Sequence, residues 1–315
     1  MVSDSMLSPI STNGLTRYFG NNPAVVDLDL EVESGSFVGY LGPNGAGKST
    51  TIKLLCGLMS PDSGEVYLNG VNASENPQEA LKSVGAIIET PEFYNFLTPR
   101  EQLEYFGRLR EVPKGELESR IKEVLQKVEL YENIETKIEK FSKGMKQRLG
   151  IAQCILHNPE IFLLDEPLLG LDPTGVSEMR DLLNQLKKEG KTVLYSSHIL
   201  SEVQQVCEEV AIIRNGKLIV HEEIEDLEKE FSANEVEVET LKPLTPDQIE
   251  KVRRMSYIES VSSTGKILHI VHSGGEEERA GIIEGIRDAG GKISSFQKKT
   301  NLEDLYIKLE EDSLV

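Results

Sequence analysis

The sequence is poor in cysteine, in basic residues and in long apolar runs, and each shortage excludes a class of protein. Its 315 residues include three widely spaced cysteines, Cys56, Cys154 and Cys207, which form no metal or redox motif, so we expect a reducing cytosol. Lys and Arg number 34 against 53 Asp and Glu, a net charge of −19, which argues against nucleic acid as a partner. No stretch approaches the ~18 apolar residues of a membrane span, and we expect no signal peptide. If the protein works at a membrane, another chain must supply the membrane part.

The stretch GPNGAGKST, residues 42–50, fits the pattern GxxxxGK[ST] between an apolar strand pattern and a helix pattern. This context is the one that a phosphate-binding loop requires, whereas a chance match would be an ordinary glycine-rich turn. We expect the backbone N–H groups of Asn44 to Ser49, with the positive end of the helix dipole, to hold an anion. The predicted nucleotide-binding residues here are Gly42, Pro43, Asn44, Gly45, Ala46, Gly47, Lys48, Ser49 and Thr50.

Individual side chains of this loop have expected roles toward a nucleotide. Lys48 would reach the β- and γ-phosphates, and the Ser49 hydroxyl would bind Mg²⁺. A second motif, IFLLDE at residues 161–166, is an apolar strand that ends in two carboxylates. Two carboxylates in this position either cap the next turn or, with the phosphate loop, place Asp165 at the magnesium and Glu166 at the γ-phosphate.

The order of patterns predicts an α/β fold of the phosphate-loop class, with a mixed sheet and a helical subdomain. Strands are expected at 24–33, at 64–71 and in the buried runs EIFLLDEP and KTVLYSSH, followed by a hairpin that turns at Asn215-Gly216. Residues 97–160 read as helical, starting with a capping box at Thr98. The residues expected to face inward there are Leu103, Phe106, Leu109, Leu117, Ile121, Val124, Leu125, Val128, Met145, Leu149, Ala152, Ile155 and Leu156.

The acidic stretch EEIEDLEKEF marks a boundary, so the predicted domains are 1–225 and 226–315, with the helical subdomain at about 97–160. The second domain reads β-α-β-β-α-β followed by a last helix, which predicts a small α+β ferredoxin-like fold. Nothing in it indicates catalysis, and His269 and His272 are interpreted as incidental.

Further motifs identify a resemblance to the nucleotide-binding subunits of ATP-binding cassette (ABC) transporters over roughly residues 10–225. FSKGMKQRL, residues 141–149, resembles the family's signature sequence, GLDP at 170–173 resembles its dimer-contact loop, and SSH at 196–198 resembles its switch histidine. The resemblance implies ATP and Mg²⁺ as cofactors. It also implies a cytoplasmic location on the inner face of the membrane, beside an integral membrane permease subunit.

The resemblance assigns roles residue by residue. Glu166 would be the general base, and His198 would hold the γ-phosphate and the base in register. Ser142 and Gly144 at a helix N-terminus, with Asp172 in the dimer-contact loop, would meet the nucleotide of a second subunit, in a homodimer or a pseudo-symmetric heterodimer. Phe19 matches the aromatic that stacks on adenine. Tyr18 beside it is the alternative, and strand core is the other interpretation of this pair.

The chain departs from the family pattern at two places. Lys143 stands where the signature has a glycine, and Met145 where it often has glutamine. Glu89 stands where most cassettes have a glutamine that touches magnesium, a variant that resembles bacitracin and lantibiotic self-protection exporters. A carboxylate binds Mg²⁺ more strongly than an amide, but it adds negative charge beside the triphosphate. The aromatics Phe93, Tyr94 and Phe96 are either core or the groove for a permease helix. NLEDLYIKL at 301–309 resembles the terminal stretch of drug-exporter ATPases.

The sequence is therefore interpreted as an ATPase subunit that powers a separate permease, in the export of a drug, antibiotic or peptide. Three rival functions stay open at this point: a non-transport cassette ATPase in translation or DNA repair, a small-molecule kinase, and a nucleotide-gated module without turnover. The kinase would lack the signature helix and would not need Glu166.

Overall fold

The computed structural model describes residues 8–89, 91–230 and 235–298, and the contacts divide the chain into two compact units, Met1–Ile224 and Glu225–Val315. The last helix expected in the second domain and the stretch 301–309 lie outside the described residues. Across those residues, every helix is too short or too polar to cross a membrane.

The strands and helices have the following bounds. The strands are β1 (Ile10–Phe19), β2 (Asn22–Leu28), β3 (Glu31–Val32), β4 (Phe37–Leu41), β5 (Ser63–Leu68), β6 (Val71–Asn72), β7 (Val84–Ile87), β8 (Ile161–Asp165), β9 (Thr192–Ser197), β10 (Glu209–Arg214), β11 (Lys217–Glu223), β12 (Glu235–Thr240), β13 (Ile258–Thr264), β14 (Ile267–His272) and β15 (Ile293–Lys298). The helices are α1 (Lys48–Leu55), α2 (Pro77–Ala80), α3 (Pro99–Leu109), α4 (Leu117–Lys127), α5 (Lys143–Ile155), α6 (Pro173–Lys188), α7 (Leu200–Val206), α8 (Ile224–Glu230), α9 (Pro246–Arg253) and α10 (Glu276–Asp288).

The central sheet of the first unit has the order β11-β10-β4-β9-β8-β7. All neighbours from β10 to β7 are parallel, and β11 returns antiparallel after a turn in which Asn215 and Gly216 have φ of 48° and 77°. Every residue of β4, β8 and β9 is buried, as expected of strands covered on both faces. Because these three strands are parallel neighbours, their carboxyl ends meet at one edge, where a ligand site is expected. The predicted mixed sheet is confirmed.

A second, antiparallel sheet has the order β2-β1-β5-β6, with β3 also paired to β1. The sequence patterns predicted strands at 24–33 and 64–71, but they did not predict β1 and did not separate this sheet from the central one. The expected strand 24–33 is divided, because β2 ends at Leu28 and β3 begins at Glu31.

The helical subdomain follows the predicted periodicity closely. Thr98 accepts the Glu101 N–H and the Glu101 carboxylate accepts the Thr98 N–H, so the predicted capping box at the start of α3 is confirmed. The inward positions of α4 are all buried. Leu109 was expected to face inward and is 60% exposed, which overturns that expectation. The reason is angular: six residues after Leu103 on a helix correspond to a position about 120° away around the axis.

The second unit contains one antiparallel sheet of order β13-β14-β12-β15, with α9 and α10 supplying apolar side chains to its core. Its element order is the expected β-α-β-β-α-β. His269 lies 3.7 Å from both Glu235 and Glu237, whereas His272 is buried at 1% exposure. The two histidines therefore belong to opposite sides of β14.

Candidate functional site

The glycine-rich loop 42–47 joins the carboxyl end of β4 to α1, and its glycines are required by its surroundings. Gly47 has φ of 113°, and a Cβ there would lie 2.2 Å from the carbonyl oxygen of Ala24 in β2. A Cβ on Gly42 would lie 2.4 Å from the carbonyl oxygen of Ile213. A side chain at either position would displace backbone, so the loop keeps its shape only with glycine.

The backbone donors of this loop differ from the sequence expectation at one residue. Ala46 was expected to direct its N–H into the loop, but this group donates to the Pro43 carbonyl at 3.1 Å. The bond closes a tight turn whose third residue, Gly45, has φ of 84°, as a type II turn requires. In this structure the Ala46 N–H is therefore used inside the loop, where it closes the turn.

The Lys48 side chain is held against the loop by hydrogen bonds to two of its carbonyl oxygens. This side chain is 6% exposed, and its Nζ donates to the carbonyl oxygens of Gly42 at 2.7 Å and Pro43 at 3.2 Å. The same Nζ lies 3.3 Å from Oε1 of Glu166. A buried cation with these partners is positioned to hold an anion at the mouth of the loop.

The two carboxylates of the second motif stand together at the carboxyl end of β8, beside the neighbouring strand β9. Asp165, the last residue of β8, is 2% exposed and accepts a hydrogen bond from the Ser196 hydroxyl of β9 at 2.6 Å. Glu166 follows with φ of 47°, and its N–H is bonded to the Ser196 side chain and carbonyl at 3.0 and 3.2 Å. Its Oε2 lies 2.6 Å from Nδ1 of His198. Lys48, Glu166 and His198 thus form one continuous polar chain.

Glu89 lies just after β7 and also has a left-handed backbone, with φ of 58°. Its carboxylate is 65% exposed and lies 2.6 Å from Nζ of Lys53, whose hydrogen bond and charge hold the pKa of Glu89 below its ordinary value. The carboxylate therefore stays ionised at neutral pH.

Several of these groups line one cavity of about 380 Å³, a volume within the range of small-molecule sites. Its lining consists of Asn44, Ser49, Glu89, Lys143, Gln147, Asp165, Glu166, Leu169 and His198. No group of three or more His, Cys, Asp or Glu side chains within the described residues is placed to hold a metal alone. The oxygens of Ser49, Asp165 and Glu89 nevertheless suit Mg²⁺, which takes one or two carboxylates together with water and substrate phosphates.

Ser142, Gly144 and Asp172 border a different cavity. The Ser142 hydroxyl accepts the Met145 N–H at 3.2 Å, and the Asp172 carboxylate accepts the Gly175 N–H at 2.7 Å, so both side chains cap helices. Of the expected nucleotide-binding residues, Asn44 and Ser49 thus line the first cavity, whereas Ser142, Gly144 and Asp172 line the second.

Phe19 and Tyr18 lie at the end of β1, beside the hairpin to β2. Phe19 is 48% exposed and Tyr18 is 42% exposed, so the strand-core interpretation of this pair is wrong. The Arg17 guanidinium lies 5.6 Å from the centre of the Phe19 ring. The strand β2, which pairs with β1, approaches Gly47 of the loop through the Ala24 carbonyl.

An exposed aromatic group follows Glu89. Tyr94 and Phe96 are 47% and 66% exposed, which overturns the core interpretation for these two residues. Tyr94 lies 6.0 Å from the Phe96 ring and 5.9 Å from Tyr105 of α3, and Leu109 at the end of α3 is exposed as well. We refer to Tyr94, Phe96, Tyr105 and Leu109 as the aromatic patch.

Sequence reasoning missed Gln147 and Ser196. Gln147 is 6% exposed, and its Nε2 donates to the Pro167 carbonyl at 3.0 Å, directly after Glu166. Its position four residues after Lys143, on the same helix face, was the available signal. Ser196 preceded a recognised motif residue by two positions, but its contact to Asp165 depends on strand pairing.

Comparisons with known proteins found similarity to one family, over most of the first compact unit. A family model described as ABC transporter matches residues 25–169. The bacitracin transport ATP-binding protein BcrA of Bacillus licheniformis is 44% identical over 225 residues, which cover 71% of this chain and 72% of that protein. The uncharacterized ABC transporter ATP-binding protein YcbN of Bacillus subtilis (strain 168) is 36% identical over 312 residues, covering 95% of this chain and 96% of that protein. A dimeric ATP-binding cassette solved in a post-hydrolysis state with ADP and Pi has a TM-score of 0.62 and 26% identity, covering 68% of this chain and 98% of that one.

Proposed function

Because the chain belongs to the ABC transporter family and is an ATP-binding, ATP-hydrolysing subunit, we propose that the cavity beside the glycine-rich loop is where it hydrolyses Mg·ATP. The observation that carries this assignment is the chain of contacts from Lys48 through Glu166 to His198, at 3.3 and 2.6 Å. A phosphate-binding cation and a carboxylate held by a histidine are groups that can serve phosphoryl transfer to water.

Each side chain has a defined task in this proposal. Lys48 neutralises the β- and γ-phosphates, and Glu166 accepts the proton of the attacking water while His198 orients its carboxylate. Ser49, Asp165 and Glu89 would hold Mg²⁺, which supplies charge neutralisation between the phosphates. The Ser196 hydroxyl fixes the Asp165 carboxylate. Phe19 or Tyr18 stacks on the adenine.

The second cavity supports dimerisation around nucleotide. Subunits of this family dimerise and pair with membrane permeases. In our proposal, Ser142, Gly144 and Asp172 complete the nucleotide site of a second subunit, identical or similar, so that two ATP molecules lie in a closed two-fold dimer. The division of the residues between two cavities supports this arrangement.

We propose further that the permease is an exporter of a drug, antibiotic or peptide, and that the subunit sits on the cytoplasmic face of the membrane. The support is the likeness to a bacitracin transport protein and the glutamate at position 89. The aromatic patch, which follows Glu89 directly, is the surface proposed for a cytoplasmic helix of the permease, because exposed aromatic groups favour protein contacts.

The substitution Glu166→Gln tests the assignment. Losing the base should lower phosphate release from ATP by about 10²- to 10⁴-fold. The full-length variant should also form an ATP-dependent dimer in size-exclusion chromatography. Glu189→Gln, which changes a carboxylate outside the cavity lining, is the control and should hydrolyse ATP at the wild-type rate. Wild-type hydrolysis in Glu166→Gln would exclude Glu166 as the base.

A further inference from the structure

One face of α5 contacts the loop that follows Glu166. Lys143 and Gln147 are four residues apart, so their side chains leave the same side of the helix. Lys143 borders both cavities, and Gln147 borders the cavity that contains Glu166. This face therefore lies between the residues that cap α5 and the loop 167–170.

Gln147 supports a backbone that is sterically unfavourable. Glu166 has φ of 47°, in a region that non-glycine residues rarely adopt, so both flanks of this residue need fixed partners. On the N-terminal flank, Ser196 accepts the Glu166 N–H. On the C-terminal flank, the buried Nε2 of Gln147 donates to the Pro167 carbonyl at 3.0 Å. The conformation of Glu166 thus depends on a side chain of α5.

Lys143 covers the other end of the same loop. Gly170 has φ of 74°, and a Cβ placed on it would lie 2.0 Å from Nζ of Lys143, so the ammonium group lies directly against this glycine. Two side chains from adjacent turns therefore touch both ends of loop 167–170. A movement of α5 cannot leave the loop unchanged, since packed elements shift together.

We propose that Gln147 is a positioning residue that couples the nucleotide on the partner subunit to Glu166 of its own chain. The inference rests on the proposed function, in which Ser142 and Gly144 contact the partner's nucleotide. A phosphate bound at the N-terminus of α5 shifts the first turn of the helix. Gln147 passes this shift to Pro167 and brings the Glu166 carboxylate into line, so hydrolysis at one site depends on occupancy of the other.

The test compares full-length variants in steady-state ATP hydrolysis with Mg²⁺. Gln147→Leu removes the amide donor at similar volume and should lower kcat about 10- to 100-fold, as expected for a misplaced base, with KM changed less than about twofold. The Hill coefficient for ATP should exceed 1 in the wild type and fall to 1 in the variant. Gln147→Glu provides rescue, because a protonated carboxyl donates to the Pro167 carbonyl and an ionised one does not. Its activity relative to the wild type should therefore rise as the pH falls.

Gln153→Met is the matched control. Gln153 also lies on α5, and its side chain accepts a hydrogen bond from Gln102 at 3.2 Å, away from the loop. Gln153→Met should lower the free energy of unfolding about as much as Gln147→Leu does, and it should keep the wild-type Hill coefficient. A Hill coefficient of 1 in the wild type, or an unchanged coefficient in Gln147→Leu, would each overturn the coupling. Absence of hydrolysis in the wild type would instead overturn the proposed function itself.

Discussion

Replacing Glu166 by glutamine should strengthen the binding of ADP. In the structure, the Glu166 carboxylate pairs with Nζ of Lys48 at 3.3 Å. Both side chains are largely buried, since Glu166 is 16% exposed and Lys48 is 6% exposed. A β-phosphate that approaches Lys48 must compete with this carboxylate and is also repelled by it. Glutamine removes the charge and keeps nearly the same shape.

The size of the effect follows from the geometry. Two unit charges at this separation attract by about 1.3 kcal/mol in water and by about 5 kcal/mol at an effective dielectric constant of 20. Hydrogen bonds to charged groups contribute about 1.5 to 3 kcal/mol net. The glutamine oxygen still accepts a neutral hydrogen bond from Lys48, so we expect a gain of about 1 to 2 kcal/mol. The Kd for ADP should therefore fall about 5- to 30-fold.

Isothermal titration calorimetry of Mg·ADP on the full-length chain measures this directly, since ADP avoids turnover. Glu202→Gln is the control: its carboxylate accepts hydrogen bonds from Ser197 at 2.8 Å and Tyr195 at 3.3 Å, outside the cavity lining. It removes the same charge and should change the Kd less than about twofold. An unchanged or weaker ADP affinity in Glu166→Gln, or an equal gain in Glu202→Gln, would refute the competition.

Two further predictions concern stability. Gly47→Ala, whose Cβ would meet the Ala24 carbonyl at 2.2 Å, should lower the free energy of unfolding by more than about 2 kcal/mol in urea titrations, whereas Gly45→Ala, with free space around it, should cost only about 1 kcal/mol. The second concerns His157, whose Nε2 lies 3.1 Å from the Val84 carbonyl and whose pKa is lowered to about 4 by burial and then by nearby Arg110. As the pH falls, His157 therefore takes up a proton in the unfolded chain at a higher pH than in the folded chain. The free energy of unfolding of the wild type should fall by about 1 to 2 kcal/mol between pH 7 and pH 4, after allowance for partial exposure. His157→Gln, which keeps a donor and does not titrate, should lose less in thermal melts across this range. Equal losses in both proteins would exclude His157.

The parts of the fold that the sequence predicted are those determined by neighbouring residues. The capping box at Thr98 needs only a residue three positions further on, and the Asn215-Gly216 turn needs two residues that tolerate positive φ. The buried runs of β8 and β9 indicated a covered parallel sheet without further information. By contrast, the separation of the antiparallel sheet depends on which strands pair, and no local pattern determines that pairing.

The site shows the same division. Lys48, Asp165 and Glu166 were found because their motifs are contiguous, but the Lys48–Glu166 contact joins residues 118 positions apart in numbering. Gln147 was missed, because its role depends on the Pro167 carbonyl, which belongs to another element. The hydrogen bond from the Ala46 N–H to the Pro43 carbonyl was missed, because the letters of a glycine-rich motif do not indicate which of its amides closes the turn.

The left-handed backbones of Glu89 and Glu166 also bear on how this protein could evolve. Glycine or asparagine adopts this backbone conformation at a lower cost in free energy, so the native glutamates make the folded state less stable than either replacement would. Selection for thermal stability alone should then favour replacements at these two positions, and the folded state would gain stability while ATP hydrolysis was lost.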